Sequence, residues 1–554
     1  MPEALSTIEI FTAPPLALAL ASASILAFLA LSVGAVVVRS FERVDRWTAA
    51  LIFALAAALL FPSAEHAALL RTSPDSVEYA LGAERLLALG SYSIPLGGWA
   101  FPPRYPLGFP LLVVVPSVLV AGSGVYGVWL CAALSAAAAY LVGARLLSRA
   151  AGFMATGLLL ALPLHVAASQ EVLSTAPAGA FLLLALLCSV SSAEARSARW
   201  IGAGLSVMAA AACRPLSVVF LIPALVAWRR DSAKNVRGLL WIVAPSAALA
   251  AFMAWYNWTV FGSPLRSGYS FWCPVPYDYP QLLLSMGYLV DNFLALTKSG
   301  AAFVFPLALL AIASPALAKD SRRKSLAVER AAAVAAAIAT TFHLLYFWPW
   351  GAYFEPFAAA LAPVAGAGAA LVASRVSQRA VPRLTTAVLG LGVIAAWGNA
   401  HKPEARSTDG LAQLRQLQSV AQDLASRGSV TVVTARNPAL VEALTGARAL
   451  PASRRVEYAS KLVAPRRLRL DSLAGVTPTD HRLPALRAAG ALEAFPETAT
   501  DSAGPVARLL EQGQPVIVDA ASLAPEDSQK IRSEWTVDEV AIGVWRLSPR
   551  ASGQ

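Results

Sequence analysis

Two acidic residues lie close together in a polar stretch that follows the second apolar segment of the chain. The stretch reads Thr72-Ser-Pro-Asp-Ser-Val-Glu-Tyr79, with Asp75 and Glu78 three positions apart. If a helix begins at Ser73 or Pro74, both carboxylates lie on one face of it. A cap of that helix, formed by Asp75 or Ser73, is the alternative reading, and the two roles are compatible. Because ionisable groups beside a membrane are costly and commonly functional, Asp75 and Glu78 are candidate site residues.

A proline-rich turn follows the acidic stretch and contains an arginine. The segment Phe101–Pro110 has four prolines among its ten residues, so we expect a rigid turn without regular structure. Arg104 lies in this turn, close to the predicted membrane surface. The planar guanidinium suits the oxygens of a phosphate group, although anchoring to a lipid headgroup is an equally simple interpretation.

The composition predicts that lipid surrounds most of the chain. Of 554 residues, 57% are hydrophobic and only 14% are charged, against roughly 25% charged in a soluble domain. Residues 1–399 contain 25 Lys and Arg against 16 Asp and Glu, whereas residues 400–554 contain 19 against 17. We therefore predict a polytopic α-helical membrane domain over 1–399 and a soluble domain over 400–554.

The apolar runs of the first domain predict about 12 transmembrane helices. The candidate spans are 15–38, 47–63, 125–144, 151–168, 176–193, 200–213, 215–228, 238–260, 300–318, 328–347, 357–374 and 384–399. Two of them, separated at Arg214–Pro215, are short enough to be half-helices. Leu107–Ala121 is also apolar, but its prolines and the loop charges favour a helix that dips into the external leaflet.

The loop charges predict the orientation. One set of loops holds 19 Lys and Arg, the other six, and the richer set is expected in the cytoplasm. The large loop 64–124, the loops 261–299 and 347–356 and the C-terminal domain are then external, which is periplasmic in a Gram-negative bacterium with its inner membrane. The positive charge is thus a topology signal, and we expect no nucleic-acid partner.

The last 155 residues alternate strand and helix patterns. Ser429–Thr434 and Pro515–Asp519 have the composition of buried strands, Pro438–Leu444 and Pro525–Ser533 that of helices, and Val537–Leu547 that of a closing strand or hairpin. This alternation predicts a small α/β domain.

The four cysteines and five histidines of the whole chain show no zinc-ligand spacing, so we assign no residue to a metal.

Several of these segments together resemble the GT-C glycosyltransferases, most closely glycosyltransferase family 39, which includes protein O-mannosyltransferases and the lipid A aminoarabinose transferase. The similarity covers roughly residues 47–399. The motifs that carry it are Asp75-x-x-x-Tyr79, Ala83-x-x-Leu86-x-x-x-Gly90-x-Tyr92, Arg104-Tyr-Pro-x-Gly-x-Pro-Leu-Leu112, Ala161-Leu-Pro-Leu-His165, Ser169–Pro177, Arg214-Pro215, Tyr256-Asn257, Phe261-Gly-Ser-Pro-Leu265 and Gly268-Tyr269.

The resemblance implies an inverting transfer of a sugar from a polyprenyl-phosphate donor to a glycan, lipid or protein acceptor outside the membrane. Asp75 is then the general base that removes a proton from the acceptor hydroxyl. The phosphate leaving group needs positive charge, for which Arg104 is the first candidate and Arg214 and Lys298 are the second. The implied substrate-binding residues are Glu78, Tyr79, Tyr105, Glu171 and Glu355.

Three positions depart from the family pattern and keep alternatives open. Ser76 replaces a glutamate beside the aspartate, Thr175 replaces an acid, and Glu355 stands where relatives have Arg-Tyr. The departures leave the sugar, the acceptor and the use of a divalent cation open, and an inactive GT-C scaffold is one alternative. A lipid-linked sugar flippase or transporter is another, although the chain shows no internal repeat and its acids cluster at one face.

Overall fold

The computed structural model describes residues 11–62, 74–96, 99–191, 196–232, 236–272, 283–298, 300–313, 326–400, 409–453, 498–499 and 504–550. Up to residue 400 the described chain is almost entirely helical. Its α-helices are α1 (Pro15–Ser40), α2 (Arg43–Leu59), α3 (Pro74–Leu89), α4 (Val115–Ala121), α5 (Val125–Leu146), α6 (Arg149–Leu160), α7 (Pro163–Ser169), α8 (Thr175–Val190), α9 (Arg196–Cys213), α10 (Leu221–Ser232), α11 (Val236–Phe261), α12 (Gly268–Trp272), α13 (Leu289–Lys298), α14 (Ala301–Ala313), α15 (Leu326–Leu345), α16 (Glu355–Val376) and α17 (Ala380–Ala400).

The long apolar helices make this a multi-pass membrane protein. Within the described residues, six helices are long and apolar enough to cross a membrane: α1, α5, α11, α15, α16 and α17. A seventh span results if α6 and α7, which meet at a 70° bend, count as one. Each of the 12 predicted spans overlaps one of the helices or a consecutive pair. The number of crossings stays a prediction.

Small residues let the central helices pack closely. Helix α16 is buried along nearly its whole length and packs against α6, α8 and α14. A Cβ added at Gly366 of α16 would lie 2.6 Å from the Ala151 carbonyl oxygen of α6, and one at Gly392 of α17 would overlap the Gly157 carbonyl oxygen. Lipid-facing helices gain little from the hydrophobic effect, so close backbone approach of this kind carries much of their association.

The segment between α3 and α5 contains two short strands and a short apolar helix. Strands β1 (Ile94–Leu96) and β2 (Trp99–Phe101) form an antiparallel pair. A π-helical turn, Pro110–Val114, then leads into α4. At about 1.5 Å per residue, Pro110–Ala121 is roughly 18 Å long, against a hydrocarbon core of about 30 Å. The helix is too short to cross, in agreement with the prediction for Leu107–Ala121.

The predicted break at Arg214–Pro215 is confirmed. Helix α9 ends at Cys213, Arg214 is extended with φ −144° and ψ 110°, and a 3₁₀ segment, Pro215–Phe220, precedes α10. Proline lacks the amide hydrogen that would continue the ladder of α9, and it disfavours helical geometry at the residue before it. The break leaves the Arg214 side chain at a helix end inside the protein.

The described part of the C-terminal domain is a five-stranded sheet with helices. Its elements are α18 (Asp409–Ala425), β3 (Thr431–Thr434), α19 (Pro438–Thr445), β4 (Arg448–Pro451), α20 (Pro505–Glu511), β5 (Val516–Asp519), α21 (Pro525–Glu534), β6 (Thr536–Ala541) and β7 (Val544–Ser548). The strand order is β4-β3-β5-β7-β6, with β3 parallel to β4 and β5 and the rest antiparallel. The predicted strands and helices of this domain are present.

The C-terminal domain packs directly on the segment that contains Asp75. Helix α19 contacts both α3 and β1. Its Ala439 and Leu440 are buried and belong to the same apolar core as the membrane helices. The described part of the domain therefore packs against α3 and β1.

Two glycines on α17 give a matched test of the packing. Gly392 faces the Gly157 backbone, whereas an added Cβ at Gly390 would meet nothing within 4 Å. We expect Gly392→Ala to lower the free energy of unfolding by about 1–3 kcal/mol through overpacking. Gly390→Ala should be neutral or stabilising by up to about 1 kcal/mol, since alanine favours the helix. Thermal unfolding in detergent measures both, and equal effects would contradict the packing of α17 on α6.

Candidate active site

Asp75 lies in the first turn of α3 with its carboxylate partly accessible. The helix begins at Pro74, so Asp75 is the second helical residue and not the cap. Its side chain is 26% exposed and its Oδ1 lies 3.9 Å from the Arg104 guanidinium. An anion in the first turn is favoured by the helix dipole. The Asp75 carboxylate thus lies near a cation and is partly exposed.

Glu78 and Arg104 form a buried ion pair beside Asp75. The Glu78 side chain is fully buried, and its Oε1 accepts from Arg104 Nη2 at 2.9 Å. Its Oε2 accepts from the Arg104 backbone amide, also at 2.9 Å. Both carboxylate oxygens are therefore engaged by one residue of the proline-rich turn. Glu78 therefore pairs with Arg104, and its predicted role in substrate binding stays a prediction.

The Arg104 turn is also fixed by close contacts with aromatic rings and a glycine. Its guanidinium lies over the Tyr105 ring at 4.9 Å, and the Tyr105 and Tyr79 rings pack 4.6 Å apart. An added Cβ at Gly268, where α12 begins, would lie 2.5 Å from the Arg104 carbonyl oxygen. Burial raises the pKa of Tyr79, so this phenol stays protonated. The predicted residues Tyr79, Tyr105 and Arg104 are thus brought together with Asp75.

The segment between α7 and α8 contacts α3 next to Asp75. The Ser76 hydroxyl donates to Glu171 Oε2 at 3.4 Å, and the Tyr79 hydroxyl donates to Ser174 Oγ at 3.5 Å. Glu171 is therefore placed against the residue that follows Asp75, although 95 positions separate the two in the chain. The prediction that Glu171 belongs to this site agrees with that placement.

Arg214 supplies a second positive charge to the site, held by aromatic rings. Its guanidinium lies 5.2 Å from the Tyr353 ring centre and 5.8 Å from that of Trp350. Its Nε is buried and without a hydrogen bond, and within the described residues no carboxylate pairs with it. Tyr353 is within electrostatic range of Asp75, Arg104 and Arg214, so these three charges surround one region.

The aromatic wall around Arg214 was not predicted from the sequence. His343 is 8% exposed and stacks on Tyr353 with ring centres 4.8 Å apart and an interplanar angle of 12°. These rings come from α15 and from the turn 351–353, which are more than 100 positions from Arg214 in the chain.

Two further predicted residues lie apart from Asp75. Glu355, the first residue of α16, is 2% exposed, and its Oε1 lies 2.7 Å from Nδ1 of His165. Lys298 is exposed at the end of α13 and forms no hydrogen bond or ion pair with the described residues. Neither is therefore in direct contact with the Asp75–Arg104 cluster.

No group of three or more His, Cys, Asp or Glu in the described segments is placed to hold a metal ion.

Comparison with known proteins identifies the fold. No family model and no curated protein matches the sequence. The structure is similar to that of ArnT from Cupriavidus metallidurans bound to undecaprenyl phosphate, with a TM-score of 0.55 and 13% identity over 91% of this chain and 98% of that one. The chain has the GT-C fold. The structure is also similar to that of the Archaeoglobus fulgidus oligosaccharyltransferase in complex with Zn and sulfate, with a TM-score of 0.51 and 12% identity over 90% of this chain and 73% of that one.

The likeness confirms the fold predicted from the motifs. At 12–13% identity it extends to the architecture of the chain and not to its substrates. The closer resemblance to glycosyltransferase family 39 stays a prediction. Asp75 lies on α3 beside Arg104 of the proline-rich turn, and Arg214 lies at the break after α9; Tyr353 is within electrostatic range of all three.

The ion pair beneath Asp75 predicts a difference between two acids of α3. We expect Glu78→Gln to lower the free energy of unfolding by about 3–5 kcal/mol, because it removes the nearer and fully buried counter-charge of Arg104 and leaves only Asp75 at 3.9 Å among the described carboxylates. Glu84→Gln on the same helix removes an exposed carboxylate and should change stability by less than about 0.5 kcal/mol. Thermal unfolding in detergent compares them, and a Glu78→Gln protein as stable as the Glu84→Gln protein would contradict the pairing.

Proposed function

We propose that this chain is an inverting glycosyltransferase that moves a sugar from a polyprenyl-phosphate donor to an acceptor on the external side of the cytoplasmic membrane. The observation that carries the proposal is the grouping of a partly exposed carboxylate, Asp75, with Arg214, a cation without an acidic partner among the described residues. The likeness to an ArnT structure that holds undecaprenyl phosphate supports a lipid-phosphate donor.

Asp75 is the general base in this proposal. Its carboxylate accepts the proton of the acceptor hydroxyl while that oxygen attacks the anomeric carbon of the sugar. The bond between the anomeric carbon and the phosphate oxygen breaks, and the polyprenyl phosphate leaves with the electron pair. Glu78 is unsuited to this role because both its oxygens already accept hydrogen bonds from Arg104 and its side chain is fully buried.

We assign the leaving phosphate to Arg214 before Arg104, which reverses the order expected from the sequence. The charge of Arg104 is already matched by Glu78 at 2.9 Å, with Asp75 at 3.9 Å. Among the described residues the Arg214 guanidinium contacts the neutral rings of Tyr353 and Trp350 and pairs with no carboxylate. Binding a phosphate is therefore more favourable at Arg214 than at an arginine already paired with an acid. Arg104 then orients Asp75 through its charge.

An apolar cavity offers a place for the prenyl chain. A space of about 280 Å³ lies between α14, α15 and α16 and is lined by Phe305, Ala308, Leu309, Ala333, Ala337, Thr340, Thr341 and Leu361. Thr340 is one turn before His343, whose ring stacks on Tyr353 beside Arg214. A lipid with its phosphate at Arg214 could therefore extend its tail along this cavity within the bilayer.

The orientation is part of the proposal. The 19 Lys and Arg of one loop set support a cytoplasmic position for those loops, and α3, the Arg104 turn and the C-terminal domain would then face outward. A polyprenyl phosphate keeps its tail in the bilayer and its headgroup at the interface. A site at the external surface suits both substrates, and in a Gram-negative cell it would be periplasmic at the inner membrane.

Replacing the base tests the reaction. We expect Asp75→Asn to lower transfer by about 10²–10⁴-fold, the usual contribution of a positioned general base. Asp291→Asn removes an exposed acid of α13 and should leave transfer unchanged. The measurement is transfer of radiolabel from polyprenyl-phosphate sugars to membrane extracts by purified protein in liposomes. An Asp75→Asn protein as active as the wild type would overturn the role of Asp75.

A second substitution tests the assignment of the phosphate. We expect Arg214→Gln to reduce kcat/KM for the donor by about 10²–10³-fold, because the leaving phosphate loses its positive partner. Lys298→Gln removes an exposed cation and should change kcat/KM less than twofold. Initial rates at varied donor concentration give these values. A larger loss in Lys298→Gln than in Arg214→Gln would place the phosphate elsewhere.

A further inference from the structure

A histidine and a glutamate form an isolated pair inside the protein. His165 Nδ1 and Glu355 Oε1 are 2.7 Å apart, and their side chains are 0% and 1% exposed. The outer atoms, His165 Nε2 and Glu355 Oε2, are buried and have no hydrogen-bond partner in the part of the chain that the structure describes. A buried pair of this kind adds little to the stability of the fold, since replacing it with two apolar side chains of similar volume is often neutral or stabilising. Its presence calls for a more specific role.

The hydrogen bond between His165 and Glu355 connects the chain segment next to Asp75 with the chain segment next to Arg214. His165 lies on α7, and the chain leaving α7 contacts α3 through Glu171, which accepts from Ser76, the residue next to Asp75. Glu355 begins α16 two residues after Tyr353, whose ring contacts Arg214. The hydrogen bond between His165 and Glu355 therefore lies between the part that holds the base and the part that holds the cation.

We propose that His165 and Glu355 are positioning residues that fix the distance between Asp75 and Arg214, an inference that rests on the proposed function. Neither touches the substrate, because both are buried. Without the hydrogen bond, the turn 351–353 can shift relative to α7, and Arg214 shifts with its aromatic wall. Displacements of about 1 Å in a catalytic arrangement can cost roughly 10²-fold in rate.

Substitutions at residue 165 separate positioning from simple packing. His165→Asn keeps an N–H near the position of Nδ1 and can still donate to Glu355, whereas His165→Leu fills the space without a hydrogen bond. We expect His165→Leu to lower kcat about 10- to 100-fold with a donor KM within threefold of wild type. His165→Asn should keep kcat within about threefold and an unchanged pH profile, because the hydrogen bond and not a proton transfer is required.

Distance measurements test the inference independently of transfer. The native cysteines are first replaced, and spin labels are attached at Glu84→Cys on α3 and at Trp348→Cys, two exposed positions. The distance between the two labels then reports the spacing between α3 and the segment that precedes Tyr353. We expect one narrow distance in the wild type and in His165→Asn, and a broadened or shifted one in His165→Leu. If His165→Leu does not fold, Glu355→Leu removes the same bond.

The outcomes are distinct for the two proposals. A His165→Leu protein with wild-type distances and wild-type kcat would overturn the positioning role while leaving the function intact. A wild-type protein without transfer would overturn the function, and a distance shift in His165→Leu would still establish that the pair sets the spacing. Loss of the narrow distance in His165→Asn as well as His165→Leu would also contradict the role of the hydrogen bond.

Discussion

The Arg104–Glu78 ion pair is the interaction on which the geometry of the site depends. A cation and an anion buried together at a membrane surface must neutralise each other, and here the carboxylate contacts both the guanidinium and the backbone amide of one residue. That bidentate contact fixes the proline-rich turn on α3. It also determines the different states of two carboxylates three residues apart, since Glu78 is fully occupied and Asp75 remains partly exposed beside the same arginine.

The central membrane helices are held together by close backbone packing. Close backbone contacts at Gly366 and Gly392 bring α16 and α17 against α6 without the aid of large side chains. The chemistry-bearing residues then lie where helices begin or break, at Asp75, Arg214 and Glu355, and not in the middle of long spans. The C-terminal domain adds a third support, because buried residues of α19 pack on α3 and β1.

The features that could be predicted from the sequence are those that depend on the pattern of neighbouring residues. Hydropathy located the apolar helices, Pro215 located the break after α9, and alternating strands and helices located the C-terminal sheet. Asp75, Glu78 and Arg104 were also found, because the acids and the arginine stand out in one external loop. The partners of these residues were not predictable in the same way. Arg214 meets Tyr353 and His165 meets Glu355 across 139 and 190 positions, and such contacts follow from helix packing, which no local pattern encodes.

The departures from the family pattern acquire a different meaning once the fold is known. Ser76 and Thr175 lack the acids that relatives have, which suggested an inactive scaffold. In the structure the Ser76 hydroxyl donates to Glu171, so a carboxylate reaches the neighbourhood of Asp75 from another segment of the chain. The third departure, Glu355, is turned away from this cluster and paired with His165. An inactive scaffold gives no reason for a cation that has no acidic partner among the described residues to lie near Asp75, and this grouping is the ground on which we propose an active enzyme.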